Sequence, residues 1–219
     1  MVDYPGRLAA VMFTAGCNFR CGFCHNAGLM TRKQSGLSWG RLEESCKKFR
    51  EQWVDAIVIS GGEPTLWERE LPELIAFFRR FGFAIKLDTN GSRPDILAEI
   101  LPQLDYVAMD IKCEPEQYPE LVGFHDWGKI EESIELIKNS DVDHEFRTTI
   151  IENVHSHDHA HAMRPLIEGA RRYILQPFQP QDHLPDKKLR TVARTRPSHL
   201  RKLRDLLHGS AHEVIARGA

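Results

Sequence analysis

The chain has 219 residues, and its 29 lysines and arginines nearly balance its 31 aspartates and glutamates. This length is that of one domain with a large core, so we expect a single domain over residues 1–219. The near-neutral charge gives no electrostatic argument for binding nucleic acid or an anionic membrane surface.

The cysteine count and the hydropathy pattern indicate where the protein works. No apolar stretch approaches the ~20 residues that span a bilayer, and the N-terminus lacks the pattern of a signal peptide. The five cysteines are an odd number, and three of them are clustered in the sequence, which argues against a disulfide scaffold. We therefore expect a cytoplasmic protein without membrane or nucleic-acid partners.

Short apolar runs of strand length alternate with helical patterns along the chain. The predicted strands are residues 8–14, 56–60, 84–88, 106–111, 145–150 and 173–176. Such runs are typical of parallel strands that are covered on both faces. Between them apolar residues recur at helical spacing, for example Leu42, Cys46 and Phe49. The alternation predicts an α/β fold, with a parallel sheet and outer helices.

The first predicted strand is followed by Cys17, Cys21 and Cys24, in the spacing Cys-x-x-x-Cys-x-x-Cys. Three thiolates can hold a 4Fe–4S cluster and leave one iron open for cofactor chemistry, whereas electron-transfer clusters normally have four cysteines. The alternatives are a zinc site with His25 as fourth ligand and a group of structural or redox thiols. A ligand next to Cys24 fits the usual paired zinc spacing poorly, so the spacing favours the cluster.

The next three predicted strands each end in a motif with polar groups. These motifs are Ser60-Gly61-Gly62-Glu63, Asp88-Thr89-Asn90-Gly91 and Asp110-Ile111-Lys112. In parallel α/β folds the carboxyl ends of the strands share one rim, so we expect the motifs and the cysteines to converge there. Glycines let a ligand approach the backbone, and Glu63 can accept a hydrogen bond from an ammonium group. The structural alternatives are that the glycine and Asp-Thr-Asn-Gly motifs are ordinary strand-end turns, and that Lys112 is solvated or paired with Asp110.

The order and spacing of these motifs resemble those of radical S-adenosylmethionine enzymes. The resemblance spans about residues 3–180 and is carried by Asp3-Tyr4-Pro5-Gly6, Cys24-His25-Asn26, Ser60-Gly61-Gly62-Glu63-Pro64-Thr65, Leu87-Asp88-Thr89-Asn90-Gly91 and Met109-Asp110-Ile111-Lys112. Within the superfamily the chain is similar to the activating proteins of pyruvate formate-lyase and anaerobic ribonucleotide reductase. The resemblance implies a partial barrel of six βα units, with residues 181–219 as a helical C-terminal extension.

The resemblance also implies the cofactors. S-adenosylmethionine would chelate the open iron, and its reductive cleavage would give a 5′-deoxyadenosyl radical that abstracts hydrogen. We expect no catalytic residue beyond the cluster and the cofactor. The expected cofactor contacts are Phe23, Ser60, Gly61, Gly62, Glu63, Asn90, Asp110, Lys112, Arg147, Gln176 and Gln179.

A monovalent cation lies beside the cofactor in pyruvate formate-lyase activase. Carried over, Asp88 and Asp110 would be its carboxylate ligands, with backbone oxygens from Thr89 and Ala108. This chain has Gln179 where that activase has a histidine, and a glutamine cannot titrate. A proton-linked role is therefore not expected at this position.

This chain departs from its relatives in two further ways, and the second bears on the partner. Only Met1 and Val2 precede Asp-Tyr-Pro-Gly, where related proteins carry a longer segment, which leaves a truncated start open. No cysteine-rich insert lies between Asn26 and Trp39, so the auxiliary clusters of several other activases are missing. We therefore expect an oxidoreductase that installs a glycyl radical on an anaerobic ribonucleoside-triphosphate reductase, with a flavodoxin- or ferredoxin-type electron donor.

Two other functions stay open. One is a radical S-adenosylmethionine enzyme that acts on a small molecule or peptide, as in deazapurine synthesis. The other is a non-enzymatic iron–sulfur module for electron transfer or sensing. The Gly-Gly-Glu and Asp-Ile-Lys motifs argue against that module, since they would have no purpose in it.

The remaining features have ordinary structural explanations beside the functional ones. Cys46 and Cys113 are interpreted as packing thiols. The basic residues between 186 and 206 favour a solvated helical face over a nucleic-acid patch, with leucines such as Leu200 packing inward.

Four histidines, His155, His157, His159 and His161, alternate in one short segment. On a helix only positions four apart share a face, so His157 and His161 could chelate a metal ion. A polar helix start is the alternative that we favour.

Overall fold

Seven parallel strands form one sheet in the computed structural model, which describes residues 3–33 and 35–219. The strands are β1 (Ala9–Thr14), β2 (Ala56–Gly61), β3 (Ala84–Thr89), β4 (Tyr106–Asp110), β5 (Asp143–Ile150), β6 (Arg172–Pro177) and β7 (Glu213–Ala216). Their spatial order equals their order along the chain, so β1 and β7 are the two edges of an open barrel. Met1 and Val2 lie outside the described residues.

Helices connect the strands and cover the outer face of the sheet. In the described ranges they are α1 (Trp39–Glu51), α2 (Glu70–Arg80), α3 (Pro94–Ile100), α4 (Tyr118–Val122), α5 (Trp127–Lys138), α6 (His157–Ile167) and α7 (Pro197–Leu206). Alternate strand residues such as Ile57, Ile59 and Leu87 are fully buried in the core that includes the helices. None of these helices has the length and apolar character that crossing a membrane requires.

The inner face of the sheet has a different composition. Small side chains, among them Ala56, Ala84 and Ala108, form a separate buried cluster on it. Tyr4, from the Asp-Tyr-Pro-Gly motif, packs against Tyr106 with 5.4 Å between ring centroids. Because the strand residues here are small, the inner face has room for polar side chains and a cavity.

The predicted α/β class and open barrel are confirmed, and every predicted strand is present. One strand was not predicted. The segment after residue 180 was expected to be helical, and α7 is a helix, but Glu213–Ala216 pairs with β6 as a seventh strand. Four residues that begin with an exposed glutamate give too little apolar pattern to be recognised as a strand.

The basic C-terminal segment packs as the sequence indicated. On α7, Leu200 and Leu203 are buried in the main core, whereas Arg201 and Lys202 are exposed. Cys46 and Cys113 are also buried in that core, which fits packing thiols.

Candidate functional site

A cavity of about 480 Å³ opens at the carboxyl ends of the strands. Its volume lies within the range of roughly 300–1,000 Å³ that is usual for small-molecule sites. All but one of the predicted site residues line it. They are Cys17, Cys21, Phe23, Cys24, Ser60, Gly61, Gly62, Glu63, Asp88, Asn90, Asp110, Lys112, Arg147 and Gln176.

Gln179 is the exception, since it does not line the cavity. Its carbonyl oxygen instead accepts a hydrogen bond of 2.9 Å from His25 Nε2. His183 Nε2 in turn donates to the His25 carbonyl oxygen at 3.0 Å. These bonds fasten the cysteine loop to the segment after β6.

The three cysteines enter the cavity from the loop after β1. The backbone N–H of Phe19 donates to Cys17 Sγ at 3.4 Å, and Asn90 Nδ2 lies 3.9 Å from the same sulfur. Burial raises the pKa of Cys17, and it raises that of Cys21 to about 12. Both thiols are therefore protonated in the metal-free chain, and metal binding would have to release those protons.

The cysteines fit a cluster better than a single ion. Among the described residues, no group of three histidine, cysteine, aspartate or glutamate side chains is arranged to hold one metal ion. In a cubane each thiolate binds a different iron, so the three sulfurs need not meet at one point.

The Gly61–Gly62 pair is required by backbone packing. A Cβ at Gly61 would lie 2.4 Å from the backbone of Thr14, and one at Gly62 would lie 2.1 Å from the carbonyl oxygen of Gly16. The N–H groups of Gly62 and Glu63 donate to those two carbonyls, each at 2.8 Å. The glycines thus let β2 hold the start of the cysteine loop, whereas the sequence had suggested an approach to the ligand.

Glu63 is fully buried and joins two of the motifs. Its Oε1 accepts hydrogen bonds from Thr65 N at 3.1 Å, Thr65 Oγ1 at 2.6 Å and Thr89 Oγ1 at 2.8 Å. Its Oε2 accepts one from Asn90 N at 2.6 Å. Burial raises the pKa of this carboxyl, and the hydrogen bonds oppose that effect. Oε2 accepts one of these hydrogen bonds and has capacity for another donor.

Asn90 extends this connection to the cysteine loop. Its Nδ2 donates to Asn18 Oδ1 at 3.0 Å, and Asn18 Nδ2 donates to Ser92 Oγ at 2.8 Å. Sequence analysis missed Asn18 and Ser92, because isolated polar residues in loops carry no periodic signal. Asn18 lies inside the cysteine run, and Ser92 directly follows the Asp88-Thr89-Asn90-Gly91 motif.

A network of buried charges lies on the inner face below these motifs. Arg147 Nε donates to Asp110 Oδ1 at 2.8 Å, and Arg147 Nη1 lies 3.2 Å from Asp88 Oδ2. Lys112 Nζ donates to Asp110 Oδ2 at 2.7 Å. Lys86 Nζ donates to Asp88 Oδ1. Arg147 therefore has the buried anionic partners that its place within a strand required.

Neighbouring charges oppose the effect of burial on the pKa values of Asp110, Lys112 and Lys86. Although burial opposes ionisation of Asp110, Arg147 and Lys112 outweigh it and hold its pKa well below its usual range. Burial acts against Lys112 as well, but the Asp110 carboxylate raises its pKa. Burial lowers the pKa of Lys86, and Asp88 opposes that effect. Lys86 is the charged residue that sequence analysis missed, since a lysine in a short apolar strand resembles a solvated side chain.

The histidine segment is folded differently from the expected chelating pair. His155 and His159 are the buried pair, with 4.6 Å between ring centroids, whereas His157 stacks on His199. His155 Nε2 donates to the Lys112 carbonyl oxygen at 2.9 Å, and its Nδ1 accepts from Ile151 N at 2.9 Å. Helix α6 begins directly after it, which is the polar helix start that we favoured.

The buried histidines predict a loss of stability in mild acid. Burial lowers the pKa of His155 to about 4 and that of His159 to about 3, against an ordinary value of about 6.5. Below about pH 6.5 the unfolded chain binds protons that the folded chain does not, so each histidine should cost about 1.4 kcal/mol per pH unit. Denaturant unfolding at about pH 7 and about pH 5 measures this loss.

His159→Phe should lose less stability over that interval than the unsubstituted protein. At neutral pH the substitution should cost little, because neither ring nitrogen of His159 has a hydrogen-bond partner among the described residues, and the Glu114 carboxylate lies 3.7 Å from Nδ1. Met163→Leu, at another buried position of α6, is the control for repacking without a titratable group. Equal pH dependence in the His159 variant and the unsubstituted protein would contradict the assignment.

Comparison with known proteins identifies the family of this chain. The model of the radical SAM superfamily matches residues 11–165. A putative glycyl-radical enzyme activating enzyme of Methanocaldococcus jannaschii is 32% identical over 99% of this chain and 91% of its own length. The pyruvate formate-lyase-activating enzyme of Streptococcus mutans is 30% identical over 56% of this chain and 51% of its own length.

A solved structure supports the fold. Streptococcus suis SuiB bound to S-adenosylmethionine aligns with a TM-score of 0.75 at 14% identity, over 97% of this chain and 51% of SuiB. This chain thus spans about half the length of that protein. With the cysteine loop and the strand-end motifs meeting at one cavity, the chain belongs to the radical SAM superfamily of enzymes and is a homologue of glycyl-radical enzyme activating enzymes.

Proposed function

We propose that this protein generates a glycyl radical on a partner enzyme, using a 4Fe–4S cluster on Cys17, Cys21 and Cys24 together with S-adenosylmethionine. The observation that carries the proposal is that the three thiols and the motifs after β2, β3 and β4 line one cavity. When bound, the cluster and cofactor supply a one-electron cleavage whose 5′-deoxyadenosyl radical takes the α-hydrogen of a glycine.

Lys112 is suited to bind the carboxylate of the cofactor. It lines the cavity, its side chain is 15% exposed, and one aspartate holds it. Arg147 contacts both aspartates and lies 3.9 Å from Glu145, so it is fixed more firmly. Lys112 can therefore turn toward the cofactor while Arg147 keeps Asp110 ionised.

Glu63 is suited to bind the cofactor's ammonium group. Glu63 lines the cavity, and its Oε2 accepts one hydrogen bond, from the Asn90 N–H. A further donor at this oxygen would form a charge-assisted bond in a buried setting.

The mouth of the cavity suits a loop from a second protein. Phe13, on the edge strand β1, lines the cavity and is 52% exposed. Glycine lets such a loop enter without a side chain, and the entering protein would exclude water from the reacting atoms. We propose an anaerobic ribonucleoside-triphosphate reductase as the partner and a flavodoxin- or ferredoxin-type protein as the electron donor.

Cluster binding should depend on the three cysteines of the loop alone. Cys21→Ala should abolish binding because one iron of the cluster loses its thiolate. Cys46→Ala is the matched control, since Cys46 is equally a buried thiol but lies on α1. After anaerobic reconstitution, iron analysis should give about four irons per chain for the control and none for the Cys21 variant. Stoichiometric zinc without iron would contradict the cluster.

Lys112→Met should weaken S-adenosylmethionine binding about tenfold to a hundredfold, the effect of losing one charge-assisted contact of ~1.5–3 kcal/mol. Glu63→Ala should weaken binding too, and it should also lower the melting temperature, because four hydrogen bonds to a buried carboxylate are lost. Equilibrium dialysis of the cluster-loaded protein and thermal unfolding of the apoprotein separate the two effects. Lys129→Met, at an exposed position of α5, is the control. Unchanged cofactor affinity in both site variants would show that the site is misplaced.

The glycine target is tested by electron paramagnetic resonance. The cluster-loaded protein alone should cleave S-adenosylmethionine slowly, because no loop then fills the cavity mouth. A cognate glycyl radical enzyme should speed cleavage and give a doublet signal that collapses when the glycine is α-deuterated. Fast cleavage driven by a low-molecular-weight metabolite, with its hydrogen transferred to the deoxyadenosine 5′-carbon, would replace this function with that of a small-substrate enzyme.

A further inference from the structure

Lys86 is an unusual residue for the inner face of this sheet. It lies in β3, two residues before Asp88, so both side chains point to the same side of the strand. Its side chain is 0% exposed, and its ammonium group faces the Tyr106 ring at 5.8 Å and donates to Asp88. A buried ammonium group is costly without an anionic partner, so Lys86 and Asp88 must be considered together.

The carboxylates that would hold a monovalent cation already have cationic partners. Asp88 accepts from Lys86 through Oδ1 and from Arg147 through Oδ2. Asp110 accepts from Arg147 through Oδ1 and from Lys112 through Oδ2. A potassium or sodium ion binds through oxygen ligands, and each carboxylate oxygen here is engaged by a positive side chain. The residues present therefore do not fit an additional cation at Asp88 and Asp110.

The charge balance leads to the same conclusion. Three positive side chains, Lys86, Lys112 and Arg147, contact the aspartates. The two aspartates and Glu145, which lies 3.9 Å from Arg147, supply three negative charges. Arg217, a partly exposed arginine 3.9 Å from the other oxygen of Glu145, adds a fourth positive charge. A further cation would add positive charge to a network that has no excess negative charge, which a low-dielectric interior disfavours.

We propose that the Lys86 ammonium group takes the place of the monovalent cation, so that cofactor binding in this protein requires no added potassium or sodium ion. Lys86 supplies a fixed positive charge to Asp88, and Arg147 bridges both aspartates. The proposal rests on the proposed S-adenosylmethionine site.

Two substitutions of Lys86 separate a cation role from a structural one. Lys86→Ala removes the charge and leaves space for an ion. Lys86→Met removes the charge and fills the space with an uncharged side chain of similar length. Lys138→Met is the matched control, since Lys138 is a largely buried lysine of α5 that pairs with Glu135 outside the cavity.

The measurements compare potassium, sodium and choline chloride at equal ionic strength. We expect the S-adenosylmethionine affinity of the cluster-loaded unsubstituted protein and of Lys138→Met to be the same in all three salts. Lys86→Ala should bind the cofactor on the order of tenfold more weakly in choline chloride and recover in potassium or sodium chloride. Lys86→Met should be weakened in all three salts.

Thermal unfolding of the apoprotein is the second readout, and it needs neither cluster nor cofactor. The melting temperature of Lys86→Ala should rise when potassium or sodium replaces choline, because an ion that binds only the folded state stabilises it. The melting temperature of the unsubstituted protein should not change. This readout keeps the proposal testable even if the proposed function fails.

Either of two results would overturn the proposal. One is that potassium or sodium raises the cofactor affinity of the unsubstituted protein several-fold, or its melting temperature by several degrees. The other is a folded Lys86→Ala variant that gains nothing from either ion in both measurements. If Lys86→Ala folds only in potassium or sodium chloride, the proposal is supported. If it folds in none of the three salts, the salt dependence of the unsubstituted protein alone supports or overturns the proposal.

Discussion

The buried carboxylate of Glu63 is the interaction on which the geometry of the cavity rim depends. A fully buried carboxylate is stable only when its oxygens are satisfied, and here the donors come from Thr65 after β2 and from Thr89 and Asn90 at the end of β3. One side chain therefore fixes two strand ends relative to each other. Asn90 continues the connection to the cysteine loop, so the position of the Cys17 sulfur is coupled to the Glu63 carboxylate.

The inner face of the barrel combines two properties that the outer face lacks. Alanines on β2, β3 and β4 leave space between the strands and the cavity, and the charged side chains of β3, β4 and β5 occupy part of it. Because each of these charges has a partner of opposite sign, the attraction between them offsets part of the cost of burying them. Long charged side chains can pair across the inner face only where the neighbouring side chains are small. Alanines therefore lie beside the lysine, aspartates and arginine of the network.

Sequence analysis predicted what has a local pattern and missed what depends on contacts across strands. The cysteine run and the motifs at Glu63, Asp88 and Asp110 were recognisable because each has its own spacing, and the rule for parallel strand ends brought them together. The reason for the glycine pair could not be predicted, because it lies in the backbone of Thr14 and Gly16, far away in sequence. The seventh strand has four residues, too few for a periodic pattern, and it exists because β6 offers it an edge.

Lys86 shows why a residue type alone is a poor guide to function. In the sequence it interrupts an apolar strand, and only the partners across the inner face give it a role. A fixed ammonium group must be desolvated when the chain folds, whereas a diffusible ion must be desolvated and localised when it binds. Replacing the ion by a side chain thus moves an energetic cost from cofactor binding to folding, where the large hydrophobic core of the outer face can offset it. A radical SAM enzyme built in this way would bind its cofactor independently of the ionic composition of its surroundings.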